Sequence, residues 1–428
     1  MKYFGTDGIR GNEKIFVNKF CFNVGKAISK LNCKTVIVGT DTRASGKRIK
    51  KYVVKGLLTR GINVYDVGVA PTPALMYLSK LHKCVAVIIT ASHNPYTDNG
   101  IKLAYKGCKL SDSAQIKIEH AIDRDKYAKV NRGKLASVNN LLDEYFTFTK
   151  KHTKKCDLKI ALDLANGATT ATASKVFEQV SDNLVFVGDK PNGKNINVNC
   201  GSTHIDNLVN VVKESGCDVG FAFDGDGDRC IAVTHKGRVV DGDMILYVIA
   251  NYLYNKHTLF DKKVVFSQMS NLGVVNAIKR NNIDVLEVPV GDKNIFAALK
   301  KYKLSLGGEE SGHIFMADTH FIGDGVMTAL MVLKVMIESN TRLEDLVAAI
   351  KLYPQKLVNV NVPNKDKVVN DIELKELVQD IKQKLHGDCK IIIRKSGTED
   401  VVRVFVQAKS QTLVDKYSRL LVEKVKQI

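Results

Sequence analysis

Three stretches of this 428-residue chain repeat one pattern: an apolar strand, a turn containing Gly or Asn, an amphipathic helix and a second apolar strand. They run TVIVGTDTRASGKRIKKYVVKGLLTRGINVYDVG (35–68), KIALDLANGATTATASKVFEQVSDNLVFVG (159–188) and KVVFSQMSNLGVVNAIKRNNIDVLEVPVG (263–291). Strands that alternate with helices pair in parallel and are covered by helical layers. The spacing therefore predicts three similar mixed α/β domains. The last stretch differs. VNVNVP (358–363) alternates as a strand does, a charged helix is expected over 370–386, and KIIIRKS (390–396) and VVRVFVQA (401–408) read as two more strands before an amphipathic helix over 411–426. That order predicts a smaller C-terminal α+β domain with an antiparallel sheet. The expected domains are 1–152, 153–254, 255–358 and 359–428.

Bulk properties narrow the class. Hydrophobic residues make up 45% and charged residues 25%, the balance of a soluble globular protein. No apolar run reaches the roughly 18 residues that span a bilayer, and the first residues, MKYFGTDGIRG, lack a signal-peptide core. Nine scattered cysteines, never spaced C-x-x-C, argue against a disulfide framework or a zinc site and for a reducing cytoplasm. The formal charge of +19 is spread along the chain, mixed with acids and not interleaved with aromatics. It reads as a lysine-biased surface that steers small anionic substrates, with no nucleic-acid or membrane partner.

The densest chemistry is DGDGDR (224–229), at the end of the strand-like run CDVGFAF (217–223). Glycine lets the backbone turn tightly, so Asp224, Asp226 and Asp228 can converge on one point. Carboxylates that close repel one another unless a cation sits among them, and hard oxygens suit Mg²⁺. Arg229 carries a planar fork suited to phosphate. TASHNP (90–95) follows the apolar strand CVAVII (84–89) and is expected to present Ser92 on a loop rather than bury it. His93 is an acid/base candidate or a loop-ordering residue, and Lys102 in NGIK (99–102) is a phosphate ligand or proton handler. GGEESGH (307–313) puts Glu309 and Ser311 two apart, aimed at one face if the segment is extended, with His313 following. A carboxylate and a hydroxyl together suit sugar hydroxyls. In RKSGTED (394–400), read as a loop between two strands, Arg394, Ser396 and Thr398 with the backbone around Gly397 form a phosphate cradle, and Arg403 follows on the next strand. Arg10 lies in the glycine-rich FGTDGIRG (4–11), again suited to phosphate. INVNCGSTH (196–204) reads as an ordered loop with no chemistry of its own.

In this order, and over essentially the whole chain, these motifs resemble the α-D-phosphohexomutase superfamily. The resemblance implies four domains around a central cleft. It makes Ser92 the phosphorylated serine and a metal ligand beside Asp224, Asp226 and Asp228, with one Mg²⁺ per chain. It assigns Glu309, Ser311 and His313 to the sugar, and Arg394, Ser396, Gly397 and Thr398 to the phosphate that does not react. FGTDGIRG, INVNCGSTH and GGEESGHIF followed by GDGVMTAL (323–330) are most similar to the branch acting on glucosamine phosphates. The implied reaction interconverts glucosamine 6-phosphate and glucosamine 1-phosphate through two phosphoryl transfers, with a hexose 1,6-bisphosphate as intermediate and activator. The nearest alternative is the same chemistry on glucose or mannose phosphates. The partner expected is a small sugar phosphate, and a homodimer is compatible with the resemblance. Departures from the family pattern are Lys395 and Asp400 in place of prolines, Gln407 in place of glutamate, and VGDKN (290–294) in place of V-G-D-R-Y.

Overall fold

A computed structural model describes residues 2–5, 7–123, 131–317, 322–396 and 401–428. The chain forms two compact units, one of residues 1–268 and 286–348, the other of residues 269–285 and 349–428. The first unit is built on mixed sheets. In the first of them the strand Val85–Ile89 runs parallel to Thr35–Thr40 on one side and antiparallel to Asp98–Tyr105 on the other. Its alternate residues feed two cores. Val85, Val87 and Ile89 join Val36, Val38, Val53 and Leu57 on one face, while Ala86 and Ile88 join Ile37, Leu75 and Tyr145 on the other. A strand covered on both faces is apolar throughout, which is why CVAVII carries no polar alternation.

The same arrangement recurs twice. Val219–Phe223 is parallel to Ile160–Asp163 and antiparallel to Cys230–Thr234. Leu306–Gly308 is parallel to Lys263–Ser267 and antiparallel to Ile314–Met316. Each of these interior strands thus enters a short loop at its C-terminal end and returns as an antiparallel neighbour. The three loops are residues 90–97, 224–229 and 309–313, which are the TASHNP, DGDGDR and GEESGH motifs. Ligands of α/β sheets gather at the C-terminal ends of strands. The repeated units predicted from sequence are present, and in each the antiparallel return makes the sheet mixed. The helix of the second repeat is also short, Ala173–Phe177 after a 3₁₀ turn.

In the second unit, Gln355–Asn361, Val401–Ala408 and Cys389–Lys395 form an antiparallel three-stranded sheet in that order. The helices Ile372–Lys384 and Gln411–Gln427 match the expected ones, and a further short helix, Lys365–Asn370, precedes them. Leu272–Arg280 belongs to the same unit, where Gln407 explains its own presence. This buried amide accepts from the Leu272 N–H at 2.7 Å and donates to Gln355 Oε1 at 2.6 Å; an ionised glutamate cannot donate the second bond. Among the described residues no helix is long and apolar enough to cross a membrane.

The helix Ala44–Leu58 places Ile49, Val53, Val54 and Leu57 inward and Lys47, Lys51 and Lys55 outward, a 3.6-residue stripe. It crosses the helix Asn18–Ala27 where Gly56 meets Gly25. A methyl on Gly56 would lie 2.9 Å from Gly25 Cα and 2.8 Å from the Lys26 nitrogen, both backbone atoms that a rotamer change cannot move. Gly56→Ala is expected to lower stability by about 1–3 kcal/mol, read as a lower urea midpoint; an unchanged midpoint would show that the crossing has room.

Candidate active site

Asp224, Asp226 and Asp228 are all buried, and one carboxylate oxygen from each lies within 4.8 Å of the others. The loop closes on itself through Gly227, whose φ is +76° and whose N–H donates to Asp224 Oδ1 at 3.1 Å. Lys102, reaching in from the Asp98–Tyr105 strand, sits 2.8 Å from Asp226 Oδ2, 2.7 Å from Asp7 and 3.6 Å from Asp228. Thr72 Oγ1 also donates to Asp226. Burial alone would raise the Asp226 carboxyl, but the Lys102 ammonium and these hydrogen bonds outweigh it and hold the group well below the usual carboxylate range. At Asp224 burial, then Asp228 and Asp226, outweigh the pull of Arg229 and push the group well above that range. Burial also opposes the Lys102 charge, and Asp226, Asp7 and Asp228 together overcome it, so the ammonium is held well above its ordinary value.

Two oxygens remain unsatisfied. Asp226 Oδ1 and Asp228 Oδ1 are buried and have no hydrogen-bond partner. Orphaned buried acceptors are rare and call for an explanation. Three converging carboxylates, two of them with an orphaned oxygen, fit a divalent cation such as Mg²⁺.

Ser92 meets the same cluster. Its hydroxyl donates to Asp224 Oδ2 at 2.6 Å and lies 3.3 Å from His93 Nδ1. The expectation of a presented serine is corrected here: Ser92 is 2% exposed, because the aspartate loop packs directly over it. A Cβ on Gly225 would meet Ser92 O and lie 2.9 Å from Asn197 Nδ2, so glycine is required for the two loops to touch. His93 is driven down to about 4 by burial and then by Arg229 and Arg10, leaving a neutral imidazole. Arg229 lies beside the cluster, its Nε 4.0 Å from Asp228 Oδ1.

The other predicted residues of the first unit border this group. Arg10 is on the strand Gly8–Asn12, paired with Asp98–Tyr105, rather than in a loop. Its guanidinium reaches Asn94 Oδ1 and Asp7 Oδ2 at 3.4 Å. Glu309 and Ser311 sit in a tight turn rather than an extended segment, since Gly312 takes φ +87° and its N–H returns to Glu309 O. The pairing of both side chains on one extended face is therefore not made. Glu309 Oε1 instead accepts from the Gly291 N–H at 3.0 Å, tying this turn to the VGDKN loop. His313 stacks on Phe315 with centroids 4.8 Å apart and lies 3.9 Å from Asp228 Oδ1. Sequence reasoning missed Asp7 and Lys109. Lys109 bridges Asp7 and Asp292, and Asp7, which is half-buried, is held well below the carboxylate range by Lys102 and Lys109. A cavity of about 360 Å³ adjoins the cluster, with Asp228 and His313 in its wall and Met76, Phe296 and Ile322 around it.

A second group of predicted residues belongs to the second unit. Arg394 is on the strand Cys389–Lys395, not in the following loop, and pairs directly with Arg403 across the ladder. Residues directly opposite each other share a face of the sheet, and like charges there are unfavourable without an anion. Burial and then Arg403 lower the Arg394 guanidinium from its ordinary value. Ser396 follows, buried, its N–H donating to Val401 O at 2.9 Å. Lys395 pairs with Asp366 at 2.7 Å where the family pattern has proline. Gly397, Thr398 and Asp400 lie outside the described residues.

Comparison with known proteins agrees over the whole length. Models of phosphoglucomutase/phosphomannomutase domains match in order: the alpha/beta/alpha domain I over residues 1–129, II over 138–237, III over 241–353, and the C-terminal domain over 357–424. The chain is 39% identical to phosphoglucosamine mutase of Bacillus licheniformis, covering 99% of this chain and 98% of that one. A phosphoglucomutase/phosphomannomutase family protein from Burkholderia thailandensis shares the fold, with TM-score 0.82, 22% identity and coverage of 99% and 97%. So does Aspergillus fumigatus N-acetylphosphoglucosamine mutase in complex with GlcNAc-6P and magnesium, with TM-score 0.67, 18% identity and coverage of 92% and 83%.

The orphaned carboxylate oxygens generate a binding prediction independent of turnover. Mg²⁺ in excess should raise the thermal midpoint of the protein, by about 2.7 kcal/mol of stabilisation at a hundred times its dissociation constant. Asp226→Asn should lose most of that shift in a calorimetric scan, and an equal shift in both proteins would contradict the metal site.

Proposed function

The chain belongs to the phosphoglucomutase/phosphomannomutase family, and we propose that within it this protein is a phosphoglucosamine mutase, an isomerase interconverting glucosamine 6-phosphate and glucosamine 1-phosphate. The observation that carries the chemistry is the Ser92 hydroxyl held 2.6 Å from Asp224, one of three buried carboxylates of which the other two keep an unsatisfied oxygen. A nucleophile tied to a metal-ligand set is the arrangement that phosphoryl transfer needs, since that reaction is mainly positioning and charge stabilisation. The full-length likeness to a relative that carries this name supports the amino-sugar substrate.

Phosphorylated Ser92 gives its phosphoryl group to O1 of glucosamine 6-phosphate. The O1–P bond forms as the Oγ–P bond breaks, which leaves glucosamine 1,6-bisphosphate and free Ser92. The intermediate turns over, Ser92 Oγ takes the 6-phosphoryl group, and glucosamine 1-phosphate departs. A trace of hexose 1,6-bisphosphate serves as activator by phosphorylating any free Ser92. Asp224, Asp226, Asp228 and Ser92 would hold Mg²⁺, which would supply positive charge to the phosphoryl oxygens. Arg229 grips those oxygens, and the Lys102 ammonium adds positive charge beside the serine loop. The sugar hydroxyl must lose a proton. His93, lowered by burial and by Arg229 and Arg10, can take it, whereas Lys102 can do so only after passing its own proton to a carboxylate. The Arg394–Arg403 pair supplies guanidinium forks for the phosphate that does not react, with Ser396, Gly397 and Thr398 completing the cradle, and Arg10 is a separate fork suited to phosphate in the first unit. Glu309, Ser311 and His313 hold the sugar. A phosphoglucomutase or phosphomannomutase remains the second reading, because VGDKN departs from the family pattern in the loop tied to Glu309.

A phosphorus NMR time course tests both readings together. With Mg²⁺ and a trace of hexose 1,6-bisphosphate, glucosamine 6-phosphate should yield a growing 1-phosphate signal, faster than glucose 6-phosphate does. Preference for glucose would move the protein to the second reading. Ser92→Ala should lose activity by about 10³-fold or more, and near-normal turnover in that variant would overturn the serine's role.

A further inference from the structure

Among the described residues Arg43 is the largest side chain that the fold buries completely, and it lies outside every motif assigned above. A guanidinium has five N–H donors in a fixed plane, and all five are used. Nε donates to Asp41 Oδ2 at 2.8 Å. One terminal nitrogen donates to Pro95 O and to Asp98 O, the latter at 3.0 Å, and the other to Ser92 O at 2.9 Å and Asn94 O at 2.7 Å. Four carbonyls of a single loop, residues 92–98, thus converge on one rigid fork.

Asp41 completes the arrangement. It also accepts from Thr90 Oγ1 at 2.7 Å, and that hydroxyl accepts from the Ser92 N–H at 2.9 Å. Asn197, from INVNCGSTH, adds a second donor to Ser92 O at 2.9 Å and to Asn94 O at 3.2 Å. Ser92 is therefore fixed at its N–H through Asp41 and Thr90, and at its carbonyl by Arg43 and Asn197. Its backbone is held at φ +52°, a left-handed conformation that a residue with a side chain rarely adopts. Rotation about that backbone would swing the hydroxyl away from Asp224.

We propose that Arg43, paired with Asp41, is the positioning residue of Ser92: its planar fork folds the 92–98 loop and so aims the serine hydroxyl at the aspartate group. The inference rests on the proposed role of Ser92. A buried ion pair serving stability alone would leave the direction of the hydroxyl unaffected. Lysine in its place keeps the charge for Asp41 but has three donors without a plane, so the loop would be held loosely.

The test uses the full chain with Mg²⁺ and glucosamine 6-phosphate. Arg43→Lys should lower kcat by about 100-fold, the scale of an ångström-level misplacement, while KM stays within about threefold because no substrate contact is lost. The fraction of Ser92 phosphorylated by hexose 1,6-bisphosphate, read by peptide mass spectrometry, should fall in parallel. In Arg43→Ala, added guanidinium ion should restore part of kcat and methylammonium should not. A kcat for Arg43→Lys within threefold of wild type, or a loss confined to KM, would overturn the proposal. If the Arg43 variants do not fold, Asn197→Ala removes one of the two carbonyl anchors and should lower kcat by about tenfold at unchanged KM; an unchanged kcat would again overturn it. Ser92→Ala run alongside separates the two levels: if that variant turns over normally, the role of Ser92 itself has failed, whatever Arg43 does.

Discussion

Three carboxylates buried within 4.8 Å of one another, with a single ammonium inserted among them, set the terms for the rest of the site. Burying charge without compensation is strongly unfavourable, and the surrounding residues answer that problem one by one. Lys102 offsets Asp226 and Asp7, Lys109 bridges Asp7 to Asp292, and Arg229 lies against Asp228. Asp224 is left as the oxygen acceptor for Ser92. What remains unsatisfied, one oxygen each on Asp226 and Asp228, is what a divalent cation would complete.

The fold brings these groups together by using one device three times. An interior strand, parallel to one neighbour and antiparallel to the other, ends in a short return loop, and each loop carries one motif. The strands are rigid because both faces are covered, so the loops inherit fixed starting points. Their tips are then locked to one another: Gly225 lies against Ser92 O, and Asn197 ties the serine loop to INVNCGSTH. The fourth motif stands on an antiparallel ladder in the second unit, where Arg394 and Arg403 face each other.

Much of this was legible in the sequence because it is local. The apolar strands, the repeated α/β pattern, the α+β end and the converging aspartates all follow from residues a few positions apart. What was not legible depends on long-range packing. Ser92 reads as a presented serine until the 224–229 loop, more than a hundred positions away, covers it. Arg10 and Arg394 read as loop residues, but strand pairing extends to both of them. Glu309 and Ser311 share a face only if their segment is extended, and Gly312 turns it instead. Arg43 lies in the first α/β repeat and Asn197 in a stretch that reads only as an ordered loop; nothing in their neighbourhoods shows that both grip the serine loop. Gly397 and Thr398 lie outside the described residues.

The central claim is that Ser92 carries the phosphoryl group between the two ends of the sugar. Its most direct test is an isotope transfer. Glucosamine 6-phosphate labelled with ¹⁸O in its phosphate would be turned over by the Mg²⁺-loaded protein, which is then quenched and digested. Labelled phosphate is expected on the peptide bearing Ser92. Labelled 1-phosphate formed while that peptide never acquires label would contradict it.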